Sequence, residues 1–266
     1  MSLTIEVRFL GGLTSNQEAV FKSAAERWMG IITEDLPPVQ VVNDVFSGVR
    51  IDAQGQLIDG AGGPEVNILG QAGPRLIRAS SGLPATGMMQ FDTFDLASLE
   101  VNGQLEDVII HEMGHVLGIG TLWEDLGLFF EAGSNNPVFL GRAAAAEWSS
   151  LIGAEDLFAA PIANVGGEGS AGGHWRESRL FNELMSPIIN PGVNPLSRLT
   201  IASLQDMGYA VDLDAADAFQ LPSAPNLVAL TEQTGTGAKA VKCSCGSLQR
   251  QIKPIKLPKG AERTGY

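Results

Sequence analysis

The three histidines of this chain place the strongest constraint on its fold. The sequence has 266 residues, and two of its histidines, His111 and His115, enclose Glu112 in the string HEMGH. The third, His174, stands in the glycine-flanked string GGHW. Residues four apart project from one face of an α-helix, so a helix here would let His111 and His115 reach the same metal ion. Because histidine is the commonest metal ligand in proteins, the pattern predicts a zinc site that uses all three.

Glu112 has the position that a proton-accepting carboxylate takes in such sites. It follows the first predicted ligand directly, so it can flank the metal and accept a proton from bound water without displacing it. The H-E-x-x-H string alone is only moderately specific, and the alternative is a helix with two surface histidines. Gly118, three residues after His115, favours the zinc site, because glycine allows the positive φ with which a chain leaves a helix sharply.

Composition excludes several other classes of protein. Apolar residues make up 44% and charged residues 18% of the chain, with 32 glycines and 14 prolines, which is typical of a loop-rich globular protein. The formal charge of −13 argues against nucleic acid as a partner, since binding to its backbone depends on clustered Lys and Arg. No stretch approaches the ~20 apolar residues of a membrane span. The first residues also lack the pattern of a secretory signal.

The two cysteines do not predict a disulfide framework. Cys243 and Cys245 are separated by one residue, and a bridge between them would be strained. We expect an exposed pair, and the alternative is half of a metal site without a second pair to complete it. The sequence does not indicate an oligomeric state.

Short β-like runs dominate the first third of the chain. Alternating apolar residues predict a half-buried strand at 3–9. Gly, Pro and Asn punctuate the further runs, which predict a twisted sheet of about four to six strands. These runs are 39–46, 49–53, 66–69, 76–79 and 88–91.

Helical spacing of apolar residues predicts four helices. In the first, Ser15 and Glu18 resemble a capping box. The helix that carries the histidine motif has an apolar side for packing on the sheet. The last helix ends at Gly208, which can serve as its C-cap. The predicted helices are 15–32, 104–118, 142–151 and 201–207.

These elements predict an α+β fold with one catalytic domain at 1–220. We expect a sheet-and-helix subdomain at 1–118 and a second, loop-rich subdomain at 119–220. Residues 221–266 carry seven Lys and Arg against two Asp and Glu, with few periodic apolar positions. We expect this segment to be a peripheral and flexible extension.

The motif residues resemble those of the metzincin zinc peptidases. The usual metzincin pattern is H-E-x-x-H-x-x-G-x-x-H, followed later by a turn that contains a methionine. His111, Glu112, His115 and Gly118 match it, whereas the position of the last histidine holds Thr121. A neutral hydroxyl is a poor zinc ligand, so the third ligand must come from elsewhere.

Within the metzincins, the sequence is most similar to the leishmanolysin-like peptidases. That group has a long insertion between the glycine and the third histidine, which fits His174, and Met185 then fits the turn methionine. The resemblance implies one catalytic zinc ion held by His111, His115 and His174, with Glu112 as the general base. It also implies a metzincin-type fold, in which a twisted mixed sheet packs on a backing helix and an active-site helix. A secreted or cell-surface location is implied as well.

Several alternatives to these site residues remain open. A carboxylate could complete the metal site, and the candidates are Glu147, Glu131 and Asp125. His174 would then be a loop histidine stacked beside Trp175. Methionine is common in protein cores, so Met185 could be a plain buried residue.

Calcium is conceivable but unsupported by the sequence. Acidic residues cluster in two places, but turn-forming aspartates account for them equally well, and neither cluster has the twelve-residue pattern of an EF-hand. Some metzincins place a tyrosine just beyond the turn methionine, and here the nearest, Tyr209, is too far along the chain for that role. The acidic residues are Asp92, Asp95, Asp212, Asp214 and Asp217.

The sequence therefore predicts a zinc-dependent endopeptidase that acts on a protein or peptide substrate. One alternative is a zinc amidase acting on a non-protein or cell-wall peptide substrate, because the metal chemistry would be the same. A second alternative is a binding module without enzymatic activity, in which zinc is structural. Glu112 argues against this last class, since a structural site does not need it.

Overall fold

The computed structural model describes residues 1–58, 70–165, 170–222, 241–242 and 253–262. The fold is α+β, as predicted, and the described residues form six α-helices and a twisted mixed sheet. In chain order the elements are β1 (Ile5–Phe9), α1 (Ser15–Ile31), β2 (Val39–Val41), β3 (Asp44–Phe46), β4 (Val49–Gln56), β5 (Gly70–Ile77), β6 (Pro84–Asp92), α2 (Thr93–Val101), α3 (Leu105–Val116), β7 (Phe129–Phe130), β8 (Val138–Phe139), α4 (Arg142–Leu151), β9 (Ala160–Pro161), α5 (Glu177–Leu180), β10 (Ile188–Ile189), α6 (Arg198–Met207), β11 (Val241–Lys242) and β12 (Ile255–Lys256).

Over the described ranges, the main sheet has five strands in the order β1-β4-β6-β5-β12. β5 is antiparallel to β6, and the other neighbouring pairs are parallel. Helix α3 packs against β5 and β6. The approach is close, since a Cβ atom added at Gly87 of β6 would lie 2.3 Å from Cγ1 of Val116. Close packing on the sheet therefore fixes the distance and the direction of the helix that carries the histidine motif.

Helix α1 packs on α3 and on β1. Trp28 is fully buried, and its indole Nε1 donates a hydrogen bond to the carbonyl oxygen of Ile110 at 3.0 Å. An indole N–H needs a partner when it is buried, so this bond fixes how the two helices sit together. Helix α1 is thus the predicted backing helix.

The capping box of α1 lies one residue earlier than predicted. Thr14, and not Ser15, is the N-cap, because Thr14 has extended backbone angles and its hydroxyl accepts from the backbone N–H of Gln17 at 3.2 Å. The Gln17 side chain in turn accepts from the backbone N–H of Thr14 at 2.9 Å. Glu18 therefore lies outside the capping box and only contributes an acidic side chain to the first turn.

Two other predictions about the N-terminal half need correction. The single run predicted at 39–46 is a hairpin of β2 and β3, because Val42 turns the chain with a φ of 56°. The sequence pattern does not predict helix α2, whose N-cap is Asp92, a residue considered for calcium or for a turn. The predicted strand 66–69 lies outside the described residues.

The C-terminal subdomain is loop-rich, with a small three-stranded sheet (β7-β8-β9) and the packed pair α4 and α6. Helix α4 has the predicted bounds. Helix α6 begins three residues earlier than predicted, because the Ser197 hydroxyl caps it by accepting from the N–H of Thr200. Its C-cap is Gly208 with a φ of 109°, as the sequence predicts.

Part of the segment 221–266 joins the main sheet. Ile255 and Lys256 form the edge strand β12 beside β5, and the Glu262 carboxylate accepts from the backbone N–H of Ser80 at 2.9 Å. Cys243 and Cys245 lie outside the described residues. The boundary at 221 remains a prediction. Over the parts of the chain that the structure describes, no helix combines the length and apolarity needed to cross a membrane.

Candidate metal centre

The three histidines meet at one buried point. The Nε2 atoms of His111 and His115 lie 3.0 Å apart, and the Nε2 atom of His174 lies 3.2 Å from the first and 3.1 Å from the second. All three side chains are almost completely buried. Within the described ranges, this is the group of metal-ligating side chains that could hold an ion.

Each imidazole is oriented by a backbone carbonyl on its other nitrogen. The Nδ1 atoms of His111, His115 and His174 lie 2.6, 2.8 and 3.1 Å from the carbonyl oxygens of Leu184, Ile119 and Ser170. A carbonyl oxygen can only accept, so we assign the proton to Nδ1 in each ring. The lone pair of each Nε2 then points to the common centre, which is the usual arrangement of metal-binding histidines.

Burial also keeps these rings neutral. Desolvation lowers the pKa of His111 to about 4 and that of His174 to about 3. It lowers the pKa of His115 well below 6.5, and the other two histidines lower it further. Metal ligation needs neutral imidazole. Three neutral nitrogen donors at one point fit zinc, which takes three protein ligands in catalytic sites.

Glu112 lies beside this centre on α3. Its side chain is 3% exposed, and burial raises its pKa to about 8. A carboxyl group with a pKa near neutrality can both accept and release a proton at physiological pH. The position and the environment therefore suit acid–base work.

Met185 packs against the motif helix, and Gly118 lies where the chain leaves it. Met185 is fully buried, and its sulfur packs against α3 at Gly114, the residue directly before His115. Gly118 has a φ of 108°, in the left-handed region that the sequence predicts for the helix exit. A Cβ atom at Gly118 would also meet Met207 at 2.6 Å.

The other candidates for the third ligand lie outside the histidine group. The Thr121 hydroxyl donates a hydrogen bond to the carbonyl oxygen of His115 at 2.7 Å, so it is the partner of a carbonyl group at the C-terminal end of α3. Glu147 pairs with Arg198 at 3.2 Å. Glu131 and Asp125 are exposed.

Structural roles account for most of the aspartates considered for calcium, and none belongs to a metal-ligating group of three in the described ranges. Asp92 caps α2, and Asp212 accepts from the backbone N–H of Asp214. Asp217 pairs with Arg27 at 2.8 Å. Asp95 is a buried residue in the first turn of α2.

The sequence did not single out Glu183, which lies two residues before Met185. Its side chain is fully buried and accepts four hydrogen bonds. An acidic residue next to a predicted buried turn was the one available signal. Its partners on α6 lie 14 and 17 residues away, so local pattern could not show them.

Comparison with known proteins decides the family. A family model described as "Leishmanolysin" matches residues 75–228, which is more than half of the chain and includes all three histidines, Glu112 and Met185. The chain belongs to the leishmanolysin family. The resemblance inferred from the motif is therefore confirmed.

Individual leishmanolysins are moderately similar to the chain. Leishmanolysin of Leishmania chagasi is 32% identical over 146 residues, which cover 52% of this chain and 24% of that protein. Leishmanolysin of Leishmania major shows the same identity and coverage. A leishmanolysin homolog of Crithidia fasciculata is 25% identical over 137 residues, 49% of this chain and 20% of that protein. The matched segment thus spans about a quarter or less of the length of these leishmanolysins.

Proposed function

We propose that this protein is a zinc-dependent endopeptidase. The observation that carries the proposal is the convergence of three neutral histidine Nε2 atoms within 3.2 Å of one another, beside a buried glutamate. Membership of the leishmanolysin family supports it. We further propose that residues 1–220 form the catalytic domain and that the substrate is a protein or peptide. The secreted or cell-surface location that the family resemblance implied stays a prediction.

His111, His115 and His174 would hold the zinc ion. Zinc bound by three neutral imidazoles supplies Lewis acidity and lowers the pKa of a coordinated water toward about 7. The histidines bring no negative charge, so the positive charge of the ion is retained for that chemistry. In the described ranges the ligand group has three members, which favours an open catalytic site over a closed structural one.

Glu112 would move the proton. Its carboxylate would accept a proton from the attacking water, and the protonated carboxyl would then donate it to the leaving amine. Because burial raises its pKa to about 8, the side chain holds a proton more readily than an exposed glutamate would. Met185 would not ligate the metal. It would pack beneath the histidines and limit their movement.

Metal analysis of the wild type and three variants tests the assignment. The wild type should contain one zinc per chain by elemental analysis, and His174→Ala should lose it. Glu112→Gln should keep the zinc while turnover of a peptide library falls by about 10²–10⁴-fold. Glu124→Gln, which changes an exposed carboxylate near the motif, should keep both zinc and turnover.

The outcomes separate the rival functions. Full zinc in His174→Ala would show that another residue is the third ligand. Cleavage of cell-wall peptides without cleavage of the peptide library would favour an amidase. An active Glu112→Gln enzyme would refute the role of Glu112, and zinc without any hydrolysis in the wild type would favour a structural zinc.

A further inference from the structure

Glu183 is a buried carboxylate surrounded by hydrogen-bond donors. Its Oε2 accepts from the backbone N–H of Met185 at 2.7 Å. Its Oε1 accepts from the backbone N–H of Ser197 at 3.1 Å, from the Ser197 hydroxyl at 2.6 Å and from the Thr200 hydroxyl. The two oxygens therefore divide their partners between the methionine loop and the start of α6.

The bond from Oε2 reaches His111 through one peptide unit. The N–H of Met185 and the carbonyl of Leu184 belong to the same planar group, and they point in opposite directions. Glu183 holds the N–H, and the carbonyl oxygen accepts from Nδ1 of His111 at 2.6 Å. Rotation of this peptide would break both bonds, so the carboxylate fixes the carbonyl that orients His111.

The bonds from Oε1 reach the loop of His174 through Thr200. The Thr200 hydroxyl donates to Glu183 and accepts from Nε1 of Trp175 at 2.7 Å. Trp175 directly follows His174, and its backbone N–H donates to the carbonyl oxygen of Met185 at 3.0 Å. One carboxylate is thus connected to the two histidines that come from different parts of the chain.

Burial of the Glu183 carboxylate costs free energy, so filling space in the core does not explain why a glutamate stands at this position. Burial raises its pKa, whereas the four donors lower it. No ion pair to Glu183 occurs in the described part of the chain, so neutral donors alone balance its charge. An apolar side chain would avoid this cost, but it could not hold donors on two opposite sides.

We propose that Glu183 is a positioning residue that joins the methionine loop to α6 and thereby orients His111 and His174 toward one metal ion. The proposal rests on the proposed metal site of the three histidines. Residues that orient metal-binding histidines typically change metal affinity by about 10–100-fold when they are mutated.

Zinc affinity measured by competition with a chromophoric chelator tests the proposal without any use of activity. In Glu183→Gln the side-chain shape is kept, but an amide can accept on one side only, so either Met185 or the α6 hydroxyls lose their acceptor. We expect the zinc Kd to rise by about 10–100-fold. Thr200→Val should raise it in the same direction, and Thr200→Ser, which keeps the hydroxyl, should restore it.

Asp206→Ala is the matched control. Asp206 also lies on α6 and accepts from the backbone N–H groups of Ala143 and Ala144 at 2.9 and 2.8 Å, and these bonds lead to α4 and not to a histidine. We expect this variant to lower the unfolding temperature of the metal-free protein and to leave the zinc Kd unchanged.

Each outcome decides the question. An unchanged zinc Kd in Glu183→Gln would overturn the proposal, and so would an equal rise in Asp206→Ala. If Glu183→Gln fails to fold, the contrast between Thr200→Val and Thr200→Ser decides. A wild type that binds no zinc would instead refute the metal site itself, and with it this proposal.

Discussion

The sulfur of Met185 packs against Gly114 on the motif helix. A Cβ atom at Gly114 would lie 3.0 Å from Sδ of Met185 and 3.2 Å from Cζ2 of Trp28. Both side chains are fully buried, so neither has open space beside it. The absence of a side chain at position 114 is therefore what lets the methionine sulfur pack this closely against the motif helix.

Gly114→Ala should destabilise the protein by about 1–3 kcal/mol, because the added methyl group overpacks this contact. It should also weaken zinc binding, since Met185 must move. Urea unfolding and chelator competition measure the two effects. Gly30→Ala is the control, because Gly30 lies on α1 with nothing within 4 Å of an added Cβ atom. That variant should gain up to ~1 kcal/mol from helix propensity. Equal effects in both variants would contradict the prediction.

Gly120→Ala should displace the His174 loop. Gly120 has a φ of 74°, and a Cβ atom there would lie 1.9 Å from the carbonyl oxygen of Gly173. Gly127 has a φ of 71° but nothing within 4 Å, so Gly127→Ala has the same backbone cost of about 1–2 kcal/mol without the clash. We expect zinc affinity to fall in the first variant only. A similar loss in both would show that backbone strain, and not the contact with Gly173, is responsible.

Tyr209→Phe should lower stability and leave turnover unchanged. Tyr209 is 3% exposed, and its hydroxyl donates to the carbonyl oxygen of Leu117 at 2.8 Å, so its partner lies at the end of the motif helix. Loss of the donor leaves a buried carbonyl without this bond, at a cost of about 1–3 kcal/mol. Thermal unfolding and peptide turnover test this. Reduced turnover at unchanged stability would instead place the hydroxyl at the substrate.

Glu177→Gln should stabilise the protein more strongly as the pH rises. Burial raises the pKa of Glu177 from 4.5 to about 7, although bonds from Ser186, Ile188 and Asn190 oppose the shift. A carboxyl group with a raised pKa in the folded state costs nothing below about pH 4.5. The cost grows between pH 4.5 and about 7, where the unfolded chain is ionised and the folded group still holds its proton, and it is constant above that range. The difference in unfolding temperature between variant and wild type should therefore grow from pH 4.5 to about 7 and then level off. A constant difference would mean that Glu177 is not desolvated.

Local sequence pattern was sufficient for helices α1, α3, α4 and α6 and for the two motif histidines, but it did not predict α2 or α5. The spacing of His111 and His115 places both on one side of a helix, so α3 and the side that carries the two histidines could be predicted. The prediction that His174 is the third ligand rested on the small number of histidines in the chain and on the family resemblance. The structure places its Nε2 atom beside the other two, and its role as a ligand stays a prediction.

Tertiary partners were not predictable in the same way. The hairpin at 39–46 turns at Val42 and Asn43. Asn43 is a common turn residue, but Val42 is of a type that rarely adopts a positive φ, so the pair does not have the usual pattern of a two-residue turn. The strand β12 is only two residues long and lies in a polar segment that gave no strand pattern. Glu183 owes its role to donors from α6, and only the folded chain brings them together.

The long stretch between His115 and His174 also sets the order of assembly. These residues are 59 positions apart, whereas His111 and His115 come from one turn of helix. In a chain that is still folding, His111 and His115 can therefore be in place on α3 before His174 reaches them. Because loop closure over such a distance costs entropy, we expect tight zinc binding only after the C-terminal subdomain has folded. A chain cut before position 174 would offer two histidine ligands and should bind zinc weakly.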